Sequence, residues 1–221
     1  MTEPRHTIAI LGGSGHEGGG LALRWANAGH RVIVGSRSPE KAKAAADELN
    51  RVLGSTLVSW QENKAAAQAA TIVVLTVPFA AQRATVEDVR ENLAGKILID
   101  ATVPLVPPKV ARVQLPAGGS AVALIQALLG EDVRVVSAFQ NVSAHHLKDL
   151  GCDIDCDVLV CGDDMAAREV VVQLAADIGI RGVHAGPICN SAAAEALTSL
   201  LIAINVRYKI PGAGIRITGL P

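Results

Sequence analysis

Three glycines at GxGxxG spacing, in Gly13-Ser14-Gly15-His16-Glu17-Gly18, are the first residues of the chain whose pattern could do chemistry. The first glycine of such a pattern permits a tight turn, the second lets a pyrophosphate approach the backbone, and the third lets a helix pack closely on a strand. Free N–H groups at the start of that helix, aided by its dipole, then hold the anion. The setting fits. Thr7-Ile8-Ala9-Ile10-Leu11 is an apolar run suited to a strand buried on both faces, and Gly15 to Ala28 carries Leu21, Leu23 and Trp25 among good helix formers before Gly29. An ordinary glycine-rich turn would not need that context, and dinucleotide binding does.

The second chemical signal is Gly35-Ser36-Arg37, about 20 residues further on, where an NAD-binding chain places Asp or Glu for the ribose 2′-hydroxyl. No carboxylate stands there. Ser36 can donate to a 2′-phosphate, Arg37 can pair with it and stack on adenine, and Lys41 adds charge one helical turn later, so NADP is expected over NAD. The competing reading makes Arg37 and Lys41 solvated charges at a helix start. Thr76-Val77-Pro78 closes a later strand at the carboxyl edge, beside the expected nicotinamide ribose, although Pro78 can equally serve as a plain strand terminator.

No acid–base set of a familiar kind accompanies these signals. GxSxG and HExxH are absent, and the one tyrosine, Tyr208, is followed at once by Lys209 instead of preceding a lysine by four residues. His145 and His146 could act as acid or ligand, but adjacent histidines more often cap or face solvent. Asp163 and Asp164 precede a helix and read as N-caps, while Asn141 and Ser143 fall at the cofactor edge. Cys152, Cys156, Cys161 and Cys189 lack zinc-ribbon spacing, so no metal is expected, and in a reducing compartment they read as small hydrophobes.

Positioning such residues requires alternating strands and helices, and the alternation runs along the chain. Strands are expected at Arg31 to Gly35, Thr56 to Ser59, Thr71 to Val77, Lys96 to Asp100, Arg134 to Ser137, Asp157 to Cys161 and Arg181 to Ala185. Helices are expected at Pro39 to Leu53, Gln61 to Ala70, Phe79 to Leu93, Ser120 to Leu129, from Asp164 to Ile178, and at Ile188 to Asn205. Ala101 to Gly119 holds four of the ten prolines and reads as an irregular excursion. The fold class is α/β, a Rossmann-type doubly wound, mostly parallel sheet with a small C-terminal helical part. Residues 1–185 form the expected NADP-binding domain and 186–221 a dimerisation and substrate-side segment. The Ile188 helix is apolar nearly all round, which predicts burial on most sides and a homodimer interface.

Composition narrows the function classes. A net charge of −1, 50% hydrophobic residues and only 2% aromatics exclude a disordered chain and disfavour nucleic-acid partners, which need basic surfaces and stacking rings. No run of about 18 uninterrupted apolar residues occurs, and Met1 to Thr7 carries charges and Pro4 where an export signal needs apolar residues, so a cytoplasmic protein with no membrane partner is expected.

Gly13-Ser14-Gly15, Ser36-Arg37, Lys41, the Val158-Leu159-Val160-Cys161-Gly162-Asp163-Asp164 stretch, Ala185-Gly186-Pro187 and Asn190-Ser191 together give a family resemblance. From Thr7 to about Ile217 the chain resembles the F420-dependent NADP reductases, also called coenzyme F420H2:NADP oxidoreductases. The resemblance implies a homodimer that passes hydride between NADP(H) and the deazaflavin coenzyme F420. It matches Ser14, Gly15, His16 and Glu17 to the NADP phosphate loop, and Ser36, Arg37 and Lys41 to the 2′-phosphate. Phe79, Arg83, Ala144 and Ala213 fall where the family lines the rest of the cofactor. The deazaflavin would lie near Ala138, Gln140, Asn141, Ser143 and Pro187. Aligning two stacked rings needs no acid–base set, so no catalytic residue is assigned. An NADP-dependent reductase of a carbonyl or imine, or an NADP-binding redox sensor, would share these features.

Overall fold

The computed structural model describes residues 6–220; the charged stretch read as unlike an export signal lies mostly outside them. β1 (Thr7–Leu11), β2 (Arg31–Ser36), β3 (Val58–Glu62), β4 (Ile72–Leu75), β5 (Ile97–Asp100), β6 (Arg134–Ser137), β7 (Asp157–Gly162) and β8 (Arg181–His184) form one sheet in the order β3-β2-β1-β4-β5-β6-β7-β8. Strands β1 to β6 pair in parallel, β7 is antiparallel to β6, and β8 is parallel to β7. The chain winds outward from β1 to β3 and resumes at β4 on the other side of β1. The crevice beyond the ends of β1 and β4 is therefore the topological switch point, where ligands bind in this architecture.

Both faces of the sheet are covered, which is why its strands are apolar runs and not alternating ones. One core packs Ile8, Ile10, Val32 and Val34 against α1 (His16–Asn27), α2 (Pro39–Leu53), α6 (Ala144–Leu147) and α7 (Met165–Asp177). The other packs Ala9, Leu11, Val73 and Leu75 against α3 (Asn63–Ala69), α4 (Phe79–Val89) and α5 (Ala121–Leu129). Trp25 meets Phe139 edge to face at 5.5 Å, and its ring N–H donates to the Leu174 carbonyl. With so few aromatics, this pair is the largest fully buried volume of the first core.

The expected bounds of α2 hold, and its ends are capped locally: Pro39 opens the helix, the Ser38 hydroxyl accepts from the Lys41 N–H, and Gly54 closes it at φ 60°. Other boundaries differ. β3 runs two to three residues later than expected, because its ladder with β2 continues through Ser36↔Glu62 into polar residues that alone look helical. It is an edge strand with Trp60 38% exposed, so burial writes little pattern into it. The short α6 between β6 and β7 was not anticipated. It is held by the buried Arg24, which donates to the carbonyls of His146, Leu147, Asp149 and Cys152.

The C-terminal helix α8 (Ser191–Tyr208) is covered by its own chain on one side only. Its inward face is largely small or polar, with Ser191, Ala194, Glu195, Ser199 and Leu201 buried, while Leu200, Ile204, Val206 and Tyr208 are exposed. The apolar residues do surround the helix, but the fold uses the polar ones: Glu195 accepts from the Ser120 hydroxyl and the Ala121 and Val122 N–H groups, capping α5.

Candidate nucleotide cleft

The first turn after β1 is built on Gly12, whose φ of +89° favours glycine and whose N–H donates to the Gly35 carbonyl. This turn glycine stands one residue before the pattern's first glycine. At Gly18 a Cβ would collide with the Thr76 hydroxyl and lie 2.8 Å from the Gly12 carbonyl oxygen, so the third glycine does let α1 sit against the strand ends. A Cβ at Gly15 would meet only the Gly12 carbonyl, at 3.2 Å, which leaves the outer side of the loop open. Gly15 is also the N-cap of α1, and no side chain caps it. The first N–H groups of α1 thus lack a side-chain acceptor, as an anion site requires.

Beside this loop lies a cleft of about 500 Å³ lined by Gly12, Ser14, Gly15, Ser36, Arg37, Ser38, Lys41, Asn63, Thr76, Val77, Pro78, Ala81 and Thr85. The glycine loop, the end of β2 and the end of β4 therefore open onto one space, as their spacing predicted. Arg37 and Lys41 are exposed, and among the described residues neither has a carboxylate partner. The carboxyl of the nearby Glu40 is kept below the usual range by a hydrogen bond from its own backbone N–H and by the Ser38 hydroxyl. Two unpaired cations at the corner of the cleft suit a phosphate. Asn63, Ala81 and Thr85 line the same space and went unread, because Asn63 looks like an ordinary helix-start residue and the other two like helix interior.

The other expected site residues are placed elsewhere. Gly13 lines a groove of about 320 Å³ between α1 and α2, on the far side of the loop. His16 receives Lys148 Nζ at 2.9 Å on its ring nitrogen. Phe79 begins α4 next to Pro78, and Arg83 faces solvent in an ion pair with Glu87 at 2.8 Å. Ser143, His146 and Ala213 line a separate cavity of about 180 Å³ with Cys156 and the C-terminal residues Gly212 and Gly214. Ala144 opens α6, His145 is exposed, and Pro187 is exposed ahead of Ile188.

Ala138, Gln140 and Asn141 do not border the cleft. Ala138 is fully buried, and the amide groups serve the fold: Gln140 Nε2 donates to the Asp100 carbonyl and Ser137 Oγ, and Asn141 Nδ2 donates to the Asp157 carbonyl. Asp164 behaves as read, accepting from the Ala167 N–H at 2.6 Å at the start of α7, whereas Asp163 does not cap that helix and instead accepts from the N–H of Ile188.

Three carboxyls, none anticipated as a group, approach one another near the carboxyl edge of the sheet. Burial, together with the charge of Asp100, pushes Glu17 up to about 8. Asp100, at the end of β5, is raised to about 6 by burial although Thr102 and Gln82 donate to it. Glu195 is raised by burial, against the hydrogen bonds from Ser120 and the α5 backbone. A carboxyl that keeps its proton near neutrality can sit in a phosphate-binding loop without repelling the anion.

Comparisons with known proteins identify the family. Residues 7–104 match the family described as NADP oxidoreductase coenzyme F420-dependent. The F420-dependent NADP reductase of Methanocaldococcus jannaschii is 42% identical, covering 96% of this chain and 98% of that protein. Its namesake from Methanothermobacter thermautotrophicus is also 42% identical, over 97% of this chain and 95% of the relative. A crystal structure from Arthrobacter sp. FB24, described as that of a candidate F420-dependent NADP reductase, superposes with a TM-score of 0.80 at 28% identity, covering 96% and 99% of the two chains. With near-complete coverage at this identity, the chain belongs to the family of F420-dependent NADP reductases.

Proposed function

We propose that this protein transfers hydride between NADP(H) and coenzyme F420. The observation that carries the nucleotide half is the unpaired Arg37 and Lys41 at the end of β2, opening onto the same cleft as the uncapped start of α1. The deazaflavin half rests on the full-length similarity to relatives named for that reaction.

The residues fit a bound dinucleotide phosphate, since Gly15 leaves open room where the loop faces outward and the α1 N–H groups lack a cap. Ser14, Gly15 and the start of α1 hold the pyrophosphate. Ser36, Arg37 and Lys41 hold the 2′-phosphate. Thr76, Val77 and Pro78 fix the nicotinamide ribose at the switch point. When both coenzymes are bound, hydride passes directly between nicotinamide C4 and deazaflavin C5. The protein's part is to hold two flat faces at roughly 3–3.5 Å and to exclude water, which accounts for the lack of an assigned catalytic acid.

Further features belong to the same reading. The protein works in the cytoplasm as a homodimer, without nucleic-acid or membrane partners, and the exposed Leu200, Ile204, Val206 and Tyr208 of α8 supply the dimer contact. Residues 186–221 form that contact and border the deazaflavin, with Ser143 and Pro187 nearest to it and Gln140 and Asn141 supporting from behind, while Ala144 and Ala213 line the rest of NADP. Mixing the protein with NADPH and F420 tests the whole: deazaflavin absorbance falls with NADPH and only weakly with NADH. Tight NADPH binding without loss of that absorbance would reject the reading.

A further inference from the structure

Of the polar side chains lining the cleft, Ser14, Arg37 and Lys41 are exposed, and all the others but one are partnered within the fold. Thr76 Oγ1 donates to the Leu11 carbonyl, Thr85 Oγ1 to the Ala81 carbonyl, and Ser36 Oγ accepts from the Ser38 N–H. Ser38 Oγ is shared between Glu40 and the Lys41 N–H. Arg37 and Lys41 face the 2′-phosphate corner. Asn63, only 7% exposed, has a side-chain oxygen with no hydrogen-bond partner. Leaving a buried amide oxygen unsatisfied is costly, and although Gln61, Gln140 and Asn141 also keep one, of these amides only Asn63 lines the cleft.

Its position says what that use is. Asn63 begins α3 just past β3, beside the end of β2, and its oxygen lies over Gly35, where a Cβ would come within 3.1 Å of it. Gly35 directly precedes the Ser36-Arg37 pair. The group next to a 2′-phosphorylated ribose in the dinucleotide is the base, which here would lie between Arg37 and the α4 wall of Ala81 and Thr85. A ring so stacked turns an edge towards the cleft floor. The oxygen is covered as it stands, so meeting that edge requires the amide to turn about its last side-chain bond, a broad torsion whose rotation costs little and brings oxygen and nitrogen to the base together.

We propose that Asn63 reads the adenine, its amide oxygen accepting from the N6 amino group and its amide nitrogen donating to N7. This rests on the NADP reading above and adds base selectivity to it. An asparagine amide meets this edge of adenine with two bonds at once, whereas a base bearing a 6-oxo group would set oxygen against oxygen.

The probes are NADP and its hypoxanthine analogue, which differ only in having an amino or an oxo group at C6. Binding is measured by titration calorimetry, without F420. The wild-type protein should prefer NADP by about ten- to a hundredfold, the range for a good bidentate base contact. In Asn63→Ala the ratio should fall to within about twofold of unity. In Asn63→Asp, which keeps the acceptor and the shape but has no donor for N7 and sets a carboxylate against a 6-oxo group, both nucleotides should weaken and the oxo analogue more, so that the ratio rises above the wild-type value; an unchanged ratio in this variant overturns the assignment should the alanine protein fail to fold. Equal binding of the two nucleotides by the wild type, or an unchanged ratio in Asn63→Ala with both nucleotides weakened alike, would overturn the assignment and leave Asn63 a structural residue. Failure of the wild type to bind either nucleotide would instead reject the NADP reading itself.

Discussion

Replacing Glu17 by Gln tests whether the phosphate loop carries a protonated acid. A glutamate with an ordinary value of 4.5 that is held at about 8 in the fold keeps a proton that the unfolded chain loses. Its contribution to stability is therefore complete below pH 4.5, declines as pH rises, and is fully lost above about pH 8. A displacement of about 3.5 pH units, at about 1.4 kcal/mol each, sets a ceiling of about 5 kcal/mol. Because Glu17 is only partly buried and is coupled to Asp100, a penalty of about 2 kcal/mol is expected. Glu17→Gln removes the titration while keeping the shape. Urea denaturation at pH 5 and pH 9 should give the variant a stability gain over wild type that is about 2 kcal/mol larger at pH 9. In thermal melts that is roughly 4–8 °C for a chain of this size. NADPH affinity of the wild type should also weaken above pH 8, when Glu17 ionises beside the pyrophosphate, and that of the variant should not. A difference between the two proteins that is the same at pH 5 and pH 9, or a wild type relatively stronger at pH 9, would refute the reasoning.

The remaining expectations are more local. Arg37→Ala should weaken NADPH by about 1.5–3 kcal/mol, the value of a charged hydrogen bond, with little effect on NADH; equal losses measured by calorimetry would remove Arg37 from the 2′-phosphate site. Replacing His145 and His146 together by Gln should lower kcat less than tenfold, because removing a general acid costs about 10²–10⁴-fold and alignment needs none. A thousandfold loss in steady-state assays, with NADPH affinity intact, would point to a histidine acid. Leu200→Glu should yield monomer in light scattering, since Leu200 is exposed on α8 whereas its neighbour Leu201 is buried in its own fold; a wild type that is itself monomeric at micromolar concentration would contradict the dimer.

What could be read without coordinates followed from burial. The inner strands β1, β2, β4, β5 and β6 are apolar runs because both faces are covered, and their ends bring Gly15, Arg37 and Thr76 to one cleft through topology alone. The edge strand β3 was misplaced because its exposed residues carry no burial pattern. α6 is one turn long and owes its place to Arg24, more than a hundred residues away in sequence, a contact no local pattern announces. The same holds for Glu195, which among apolar neighbours looks like a solvent-facing charge and is instead the cap of α5. Asn63 was invisible for a different reason: its significance lies in a bond it does not make. Ala138, Gln140 and Asn141 follow β6 at the expected edge, yet their side chains turn into the fold, a direction that spacing cannot specify.

The most direct test of the central claim follows the transferred atom. NADPH deuterated at C4 is mixed with F420 and the protein in a single turnover, and the reduced deazaflavin is recovered for mass and proton analysis. Direct transfer predicts one deuterium at C5 of the product from one of the two stereospecifically labelled NADPH forms and none from the other. Reduced deazaflavin carrying only solvent hydrogen at C5 with both labelled forms, or no reduced deazaflavin despite bound NADPH, would contradict it.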